Sequence, residues 1–123
     1  MAEFEITGNA EGEVLNVVFS GESTAANAKA MVASYFELVS GSGTKKVLAD
    51  LRLLSGRLAL GETYMLMRNL PVASIPRGVR TAILEADAHR TYAEFFETTS
   101  ANAGIHVKCF FDRDEALDWL RAE

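Results

Sequence analysis

The sequence predicts an α/β fold: a five-stranded, mixed and mostly parallel sheet with about four helices, in the order β-β-α-β-α-β-α-β-α. Three observations predict it. Two alternating apolar stretches joined by a glycine-containing turn open the chain, the pattern of a hairpin. Short apolar runs then alternate with segments whose apolar residues recur at helical spacing, which implies parallel strands linked by helices. No repeat, linker or low-complexity stretch interrupts the pattern, so residues 1–123 are expected to form one domain.

Each element carries its own signal. Glu3, Phe4, Glu5 and Ile6 alternate charged and apolar, "GNAEG" turns the chain, and "VLNVVFSG" is the returning strand. Thr24 is placed to cap a helix whose stripe is Ala28, Met31, Val32, Tyr35, Leu38 and Val39, stopped by Gly41 and Gly43. "KKVLADL" is short, apolar and bounded by turn residues, a buried strand. A second helix is expected from about Gly61 to Leu70, ended by Pro71, with Tyr64, Met67 and Leu70 on one face. "VRTAILEA" is the next strand. Asp87 is placed to cap a third helix with stripe Tyr92, Phe95, Phe96, Thr99 and Ala103, and Gly104 ends it. "IHVKCFF" alternates, with Ile105, Val107, Cys109 and Phe111 on one face, as in a strand near a sheet edge. Asp112 with Glu115 three residues later opens the last helix in the manner of a capping box.

Composition narrows the function classes. Apolar residues make up 49% and charged residues 24% of the chain, the balance of a folded soluble protein rather than a disordered one. A net charge of −5 argues against nucleic acid, whose phosphates need a basic face. The charge is uneven: residues 51–80 hold Arg52, Arg57, Arg68, Arg77 and Arg80 against one acid, Glu62, so this segment is +4 and the remainder −9. Arg77 and Arg80 precede a strand and belong at the opposite end from Arg52 and Arg57, so the five arginines are not expected to form one patch. Cys109 is the sole cysteine, which excludes an intrachain disulfide and suits a reducing cytoplasm. The acidic opening lacks the apolar core of a secretory signal, and no run approaches the roughly 20 apolar residues of a spanning helix. The expectation is a cytoplasmic protein, at most peripheral to a membrane.

Catalytic chemistry is not signalled. His89 and His106 are the only histidines, and neither stands at metal-ligand or nucleophile–base spacing. Asp87 with His89 reads as a helix cap and a surface imidazole, and Cys109 as a buried structural thiol. Asp112, Asp114 and Glu115 crowd the first turn of the last helix, where the helix dipole favours acids. "SGSGTKK" precedes a strand instead of following one, the wrong context for a phosphate loop. No enzyme, metal site or cofactor is expected.

The C-terminal half, "GVRTAIL", "FFETTSANAG" and "VKCFFDRDEALDWL", together with "VLADLRLLSG", resembles the bacterial SpoIIAA-like family, small proteins sharing the STAS and Sec14-type fold. Asn102, Gly104, Phe110, Asp112, Glu115, Ala116, Trp119 and Leu120 carry the resemblance most strongly. It implies an antiparallel N-terminal strand on a mostly parallel five-stranded sheet. Anti-sigma-factor antagonists in this family use a phosphorylated serine at the start of the second helix. That implication falls on Ser55, the possible phospho-acceptor, although no aspartate precedes it and Arg57 replaces the usual leucine. Sec14-type relatives hold a lipid in an apolar cleft.

Open α/β sheets bind ligands beyond the carboxyl ends of their strands. Leu51 to Leu60, Glu85 to His89 and Phe111 to Arg113 leave strands there. The first is the longest, with five leucines among two arginines, and leads into a helix carrying the adaptable Met65 and Met67. The expected ligand-binding residues are Arg52, Leu53, Leu54, Arg57, Leu58, Tyr64, Met65 and Met67. Together, loop 51–60 and the second helix would form a mobile lid that binds an apolar or lipid-like small molecule, or touches a membrane surface weakly. The alternative is a regulatory module docking a protein partner or a second copy of itself as a homodimer. Taken one at a time, the leucines also suit simple packing on the sheet, and Arg52 and Arg57 suit solvated surface positions.

Overall fold

The computed structural model describes residues 4–70 and 78–122. Strands β1 (Phe4–Glu11), β2 (Val14–Glu22), β3 (Lys46–Ser55), β4 (Arg80–Leu84) and β5 (Val107–Phe110) lie side by side in that order. β1 pairs antiparallel with β2, and all later pairs are parallel. Four helices accompany them: α1 (Ala28–Ser42), α2 (Leu60–Arg68), α3 (Arg90–Asn102) and α4 (Arg113–Arg121). The predicted mixed sheet and element order are both present. Pro71, Arg77 and Glu3 lie outside the described residues.

Alternation along the strands builds two cores. Leu15, Val17, Phe19, Val47, Ala49 and Ile83 face one way, where Met31 and Val39 of α1 meet them and Phe96 of α3 packs alongside. Val14, Leu48, Ala82 and Leu84 face the other, where Ala116, Leu117 and Leu120 of α4 close a smaller cluster. The α1 stripe is the predicted one, with Phe36 added to its buried side.

Several element starts differ from the sequence expectation. Thr24 lies before α1, not at its cap: Asn27 is the cap residue, and the two lock together through Asn27 N–H to Thr24 Oγ1 and Thr24 N–H to Asn27 Oδ1. Asp87 opens a short 3₁₀ turn, Asp87–His89, so α3 begins two residues later than a cap at Asp87 would put it. Asp112 is the cap residue of α4, but its side chain makes no capping hydrogen bond. The reciprocal contact appears at α2 instead, where the Glu62 carboxylate accepts the Ala59 N–H at 3.0 Å. Cys109 is half-buried, and its thiol donates to the Ala93 carbonyl at 3.3 Å.

The largest difference concerns the expected loop. Leu51 to Ser55 continue β3, because β2 is long enough to pair with them: Ser20, Gly21 and Glu22 register with Leu53, Leu54 and Ser55. The register slips on the way, since Val18 pairs with Asp50 but Ser20 with Leu53. β3 thus carries one extra residue, and such a bulge reverses which side chains face the core. Val47, Ala49 and Leu51 face the larger core before it, and Leu54 does so after it. Leu53 is left outside, 67% exposed. The loop proper is only residues 56–59.

Candidate functional site

The carboxyl ends of β3 and β4 are joined by a buried ion pair. β4 pairs with β3 no further than Asp50 with Leu84, so beyond Asp50 that side of β3 has no strand neighbour. Gly56, at φ +77°, turns the chain into the left-handed region that glycine tolerates best. Arg57 then folds back. Its Nη2 donates to the Leu51 carbonyl at 3.0 Å, and its Nη1 donates to the carbonyls of Leu54 at 2.8 Å and Gly56 at 2.6 Å. The remaining donors grip Glu85, with Nε to Oε2 at 2.9 Å and Nη2 to Oε1 at 2.5 Å. All five guanidinium N–H groups are engaged within the chain. The Glu85 carboxylate, 1% exposed, also accepts the Ala86 N–H at 3.0 Å. Arg57, expected as a ligand-binding residue or else a solvated surface charge, is a structural clasp whose charged head is held by Glu85 and three backbone carbonyls.

The other expected residues separate into three groups. Arg52 and Leu53 are exposed on β3, where the Arg52 guanidinium holds both oxygens of Asp50 at 3.0 Å. Leu54, Arg57, Leu58 and Met67 line a cleft of about 130 Å³ between the sheet and the helices, and all but Arg57 are among the buried residues of the chain. Leu58 and Met65 line a larger groove of about 660 Å³ between α1 and α2, while Tyr64 and Met67 line one of about 290 Å³ between α2 and α3. Ala28, Val32, Phe36, Leu58 and Leu66 border both the cleft and the α1–α2 groove, making the two spaces neighbours. Leu60, Tyr64 and Met65 are 43%, 48% and 50% exposed on α2.

Residues outside the expected set complete the cleft. Phe19 from β2, Tyr35 and Phe36 from α1, Ile83 from β4, and Tyr92 and Phe96 from α3 supply most of its apolar wall. The Tyr35 hydroxyl meets Thr81 Oγ1 at 3.4 Å, and the Tyr92 hydroxyl meets Thr63 Oγ1 at 3.5 Å. Burial pushes the Tyr35 phenol up to about 12 despite the Thr81 contact, and raises Tyr92 in the same direction. Ser100 also borders the cleft, and its Oγ is buried with no hydrogen-bond partner among the described residues. Tyr35, Tyr92 and Phe96 were legible as members of helix stripes. Their convergence on one space was not, because a stripe reports burial without saying what it faces.

The serine expected as a phospho-acceptor closes β3 rather than starting a helix. Ser55 is exposed, its carbonyl accepts the Ser23 N–H at 2.8 Å, and α2 begins at Leu60. Arg80 lies at the amino end of β4, where it donates to the carbonyls of Trp119 and Ala122 at 2.8 Å and stacks over the Trp119 ring. Arg52, Arg57 and Arg80 are thus spent on separate local contacts. Among the described residues no cluster of three acids, histidines or cysteines is arranged to hold a metal, and no helix is long and apolar enough to cross a membrane.

Solved structures decide the fold. An anti-sigma factor antagonist from Mycobacterium paratuberculosis superposes with a TM-score of 0.64 over 98% of this chain and 97% of its own, at 16% identity. The chain has a SpoIIAA-like fold. A protein of the DUF3478 family with that fold, from Shewanella loihica, matches at a TM-score of 0.56 and 19% identity, covering 95% of this chain and 93% of its own. No family model matches the sequence, and neither does any curated protein. Within this SpoIIAA-like architecture, α2 packs on α3 and borders the groove with α1.

Proposed function

We propose that this chain is a non-catalytic binding module that takes a small apolar or lipid-like molecule into the cleft beneath α1, α2 and α3. The observation that carries the proposal is the cleft itself: about 130 Å³ walled by aromatic and aliphatic side chains and continued by the α1–α2 groove. An engineered apolar cavity of about 150 Å³ stays dry and admits benzene, so this space suits a ring or the end of an alkyl chain, with any remainder in the groove. α2 is the wall able to move. It is nine residues long and buries only Thr63 and Met67. A helix of that length is marginal without packing, and weakly packed elements open first.

The test is extraction of the protein purified from its native cell, followed by mass spectrometry of what is released. A stoichiometric apolar compound is the expected result. An empty protein that also fails to bind toluene or a short-chain alcohol by NMR titration would refute the reading. Sedimentation with anionic vesicles, comparing wild type with Leu53→Asp, separates uptake of a molecule from attachment to a surface.

A second reading is a regulatory module that docks a protein partner through α2. Leu60, Tyr64 and Met65 favour it, because three large apolar side chains on one short helix are exposed together. The fold shared with an anti-sigma factor antagonist supports it as well. Light scattering across concentration tests self-association. A mass that rises with concentration and returns to that of one chain in Tyr64→Asp favours homodimerisation.

A further inference from the structure

We infer that the group bound deepest in the cleft is neutral and carries one hydrogen-bonding atom, as a phenol, an alcohol or a small ketone does. This rests on the cleft-binding reading above and narrows its ligand class. Beside Ser23, Arg57 and Tyr92, the mainly apolar wall includes three hydroxyl residues, Tyr35, Thr81 and Ser100, contributed by α1, β4 and α3. Tyr35 and Thr81 share a single hydrogen bond, so one of their two protons has no use within the pair. Ser100 Oγ is wholly buried and has no hydrogen-bond partner among the described residues. A hydroxyl so placed forfeits its hydration without compensation, and a ligand oxygen that met it would restore the lost bond.

Charge is excluded by the same wall. Among the described residues the only cation bordering the cleft is Arg57, whose five donors are consumed by Glu85 and three backbone carbonyls. A carboxylate driven into this space would lose its water and find no counter-charge, a cost that hydroxyl contacts do not offset. Lys29, Glu37 and Glu62 border the outer groove instead, where a charged tail would stay solvated.

The experiment titrates wild type and Ser100→Ala with toluene, phenol and benzoate, followed by NMR. The phenol-to-toluene affinity ratio is expected to fall about fivefold in Ser100→Ala, the loss of one net hydrogen bond, while toluene affinity stays within about twofold. Thr81→Val, nearly isosteric, provides an independent variant expected to lower the same ratio. Benzoate is expected not to bind. Toluene binding with a ratio unmoved by either variant, or benzoate binding as well as phenol, would overturn the inference and leave an apolar cleft standing. Failure of both toluene and phenol to bind would overturn the cleft reading with it.

Discussion

The Arg57 guanidinium and the Glu85 carboxylate form a two-point ion pair across 28 residues of sequence, with side chains 7% and 1% exposed. The pair stands where β4 has ended and β3 continues with β2 on its other side. Its nitrogens supply donors to carbonyls of β3 that a longer β4 would otherwise have met. The cleft lies directly against this clasp, since Arg57 borders it.

Breaking the clasp from either side should therefore cost more than removing it. Glu85→Ala strands a buried cation and Arg57→Met a buried carboxylate, each expected to destabilise by roughly 3–5 kcal/mol. The double variant should lose clearly less than the sum of the two. Urea denaturation of the three variants measures this coupling; additive losses would show that the two charges do not depend on one another.

Neighbouring leucines should differ sharply in their tolerance of substitution. Leu53→Asp alters an exposed side chain and is expected to shift stability by no more than about 0.5 kcal/mol. Leu54, 8% exposed in the larger core, should cost roughly 2–5 kcal/mol even as Leu54→Ala. Thermal unfolding of the pair distinguishes them. Only Leu53 is a clean probe of membrane contact, because Leu54→Asp would unfold the chain first.

Gly56 and Gly41 should likewise diverge when replaced by alanine. At Gly56 the backbone is left-handed and an added Cβ would stand 3.2 Å from the Ser23 carbonyl oxygen, so Gly56→Ala should destabilise by roughly 1–2 kcal/mol. At Gly41, inside α1, nothing lies within 4 Å of an added Cβ. Gly41→Ala should stabilise by about 0.5–1 kcal/mol through helix propensity. Denaturant midpoints check both signs.

Alkaline pH should weaken the fold. Burial, aided by the nearby Glu97 and Glu85 charges, pushes the Cys109 thiol up to about 12, and burial does the same to the Tyr35 phenol. In the unfolded chain these groups titrate at about 8.5 and about 10. Between those values and about 12 the folded chain holds protons that the unfolded chain has released, so stability falls as pH rises through that window. Cys109→Ala should flatten the earlier part of the decline. Alkylation of Cys109 at pH 8 should be slow in buffer and fast in urea, since the thiolate is the reactive form.

Much of the fold was legible because periodicity is a local property. The α1 stripe, the alternation of β5 and the hairpin at the amino end each follow from residues within a few positions of one another. Boundaries were less legible where a neighbour decides them. α3 begins at Arg90 because a 3₁₀ turn intervenes after Asp87, and Thr24 closes a turn with Asn27 ahead of α1. Of the expected site residues, Leu54, Leu58 and Met67 do border the cleft, while Arg52 and Leu53 point elsewhere. Ser100 carried no signal, since a serine in a helix stripe looks the same whether or not its hydroxyl finds a partner.

By itself the sequence determined the order and type of the elements, the faces of its helices, and the gathering of leucines after the third strand. Only the tertiary structure decided what those leucines do. The length of β2 drew Leu51 to Ser55 into the sheet, and one extra residue in β3 turned Leu54 inward and Leu53 outward. The physical reason is that strand extension, register and ion pairing depend on partners remote in the chain. No pattern within "DLRLLSGRLAL" records that β4 stops at Leu84 and leaves Glu85 waiting for Arg57.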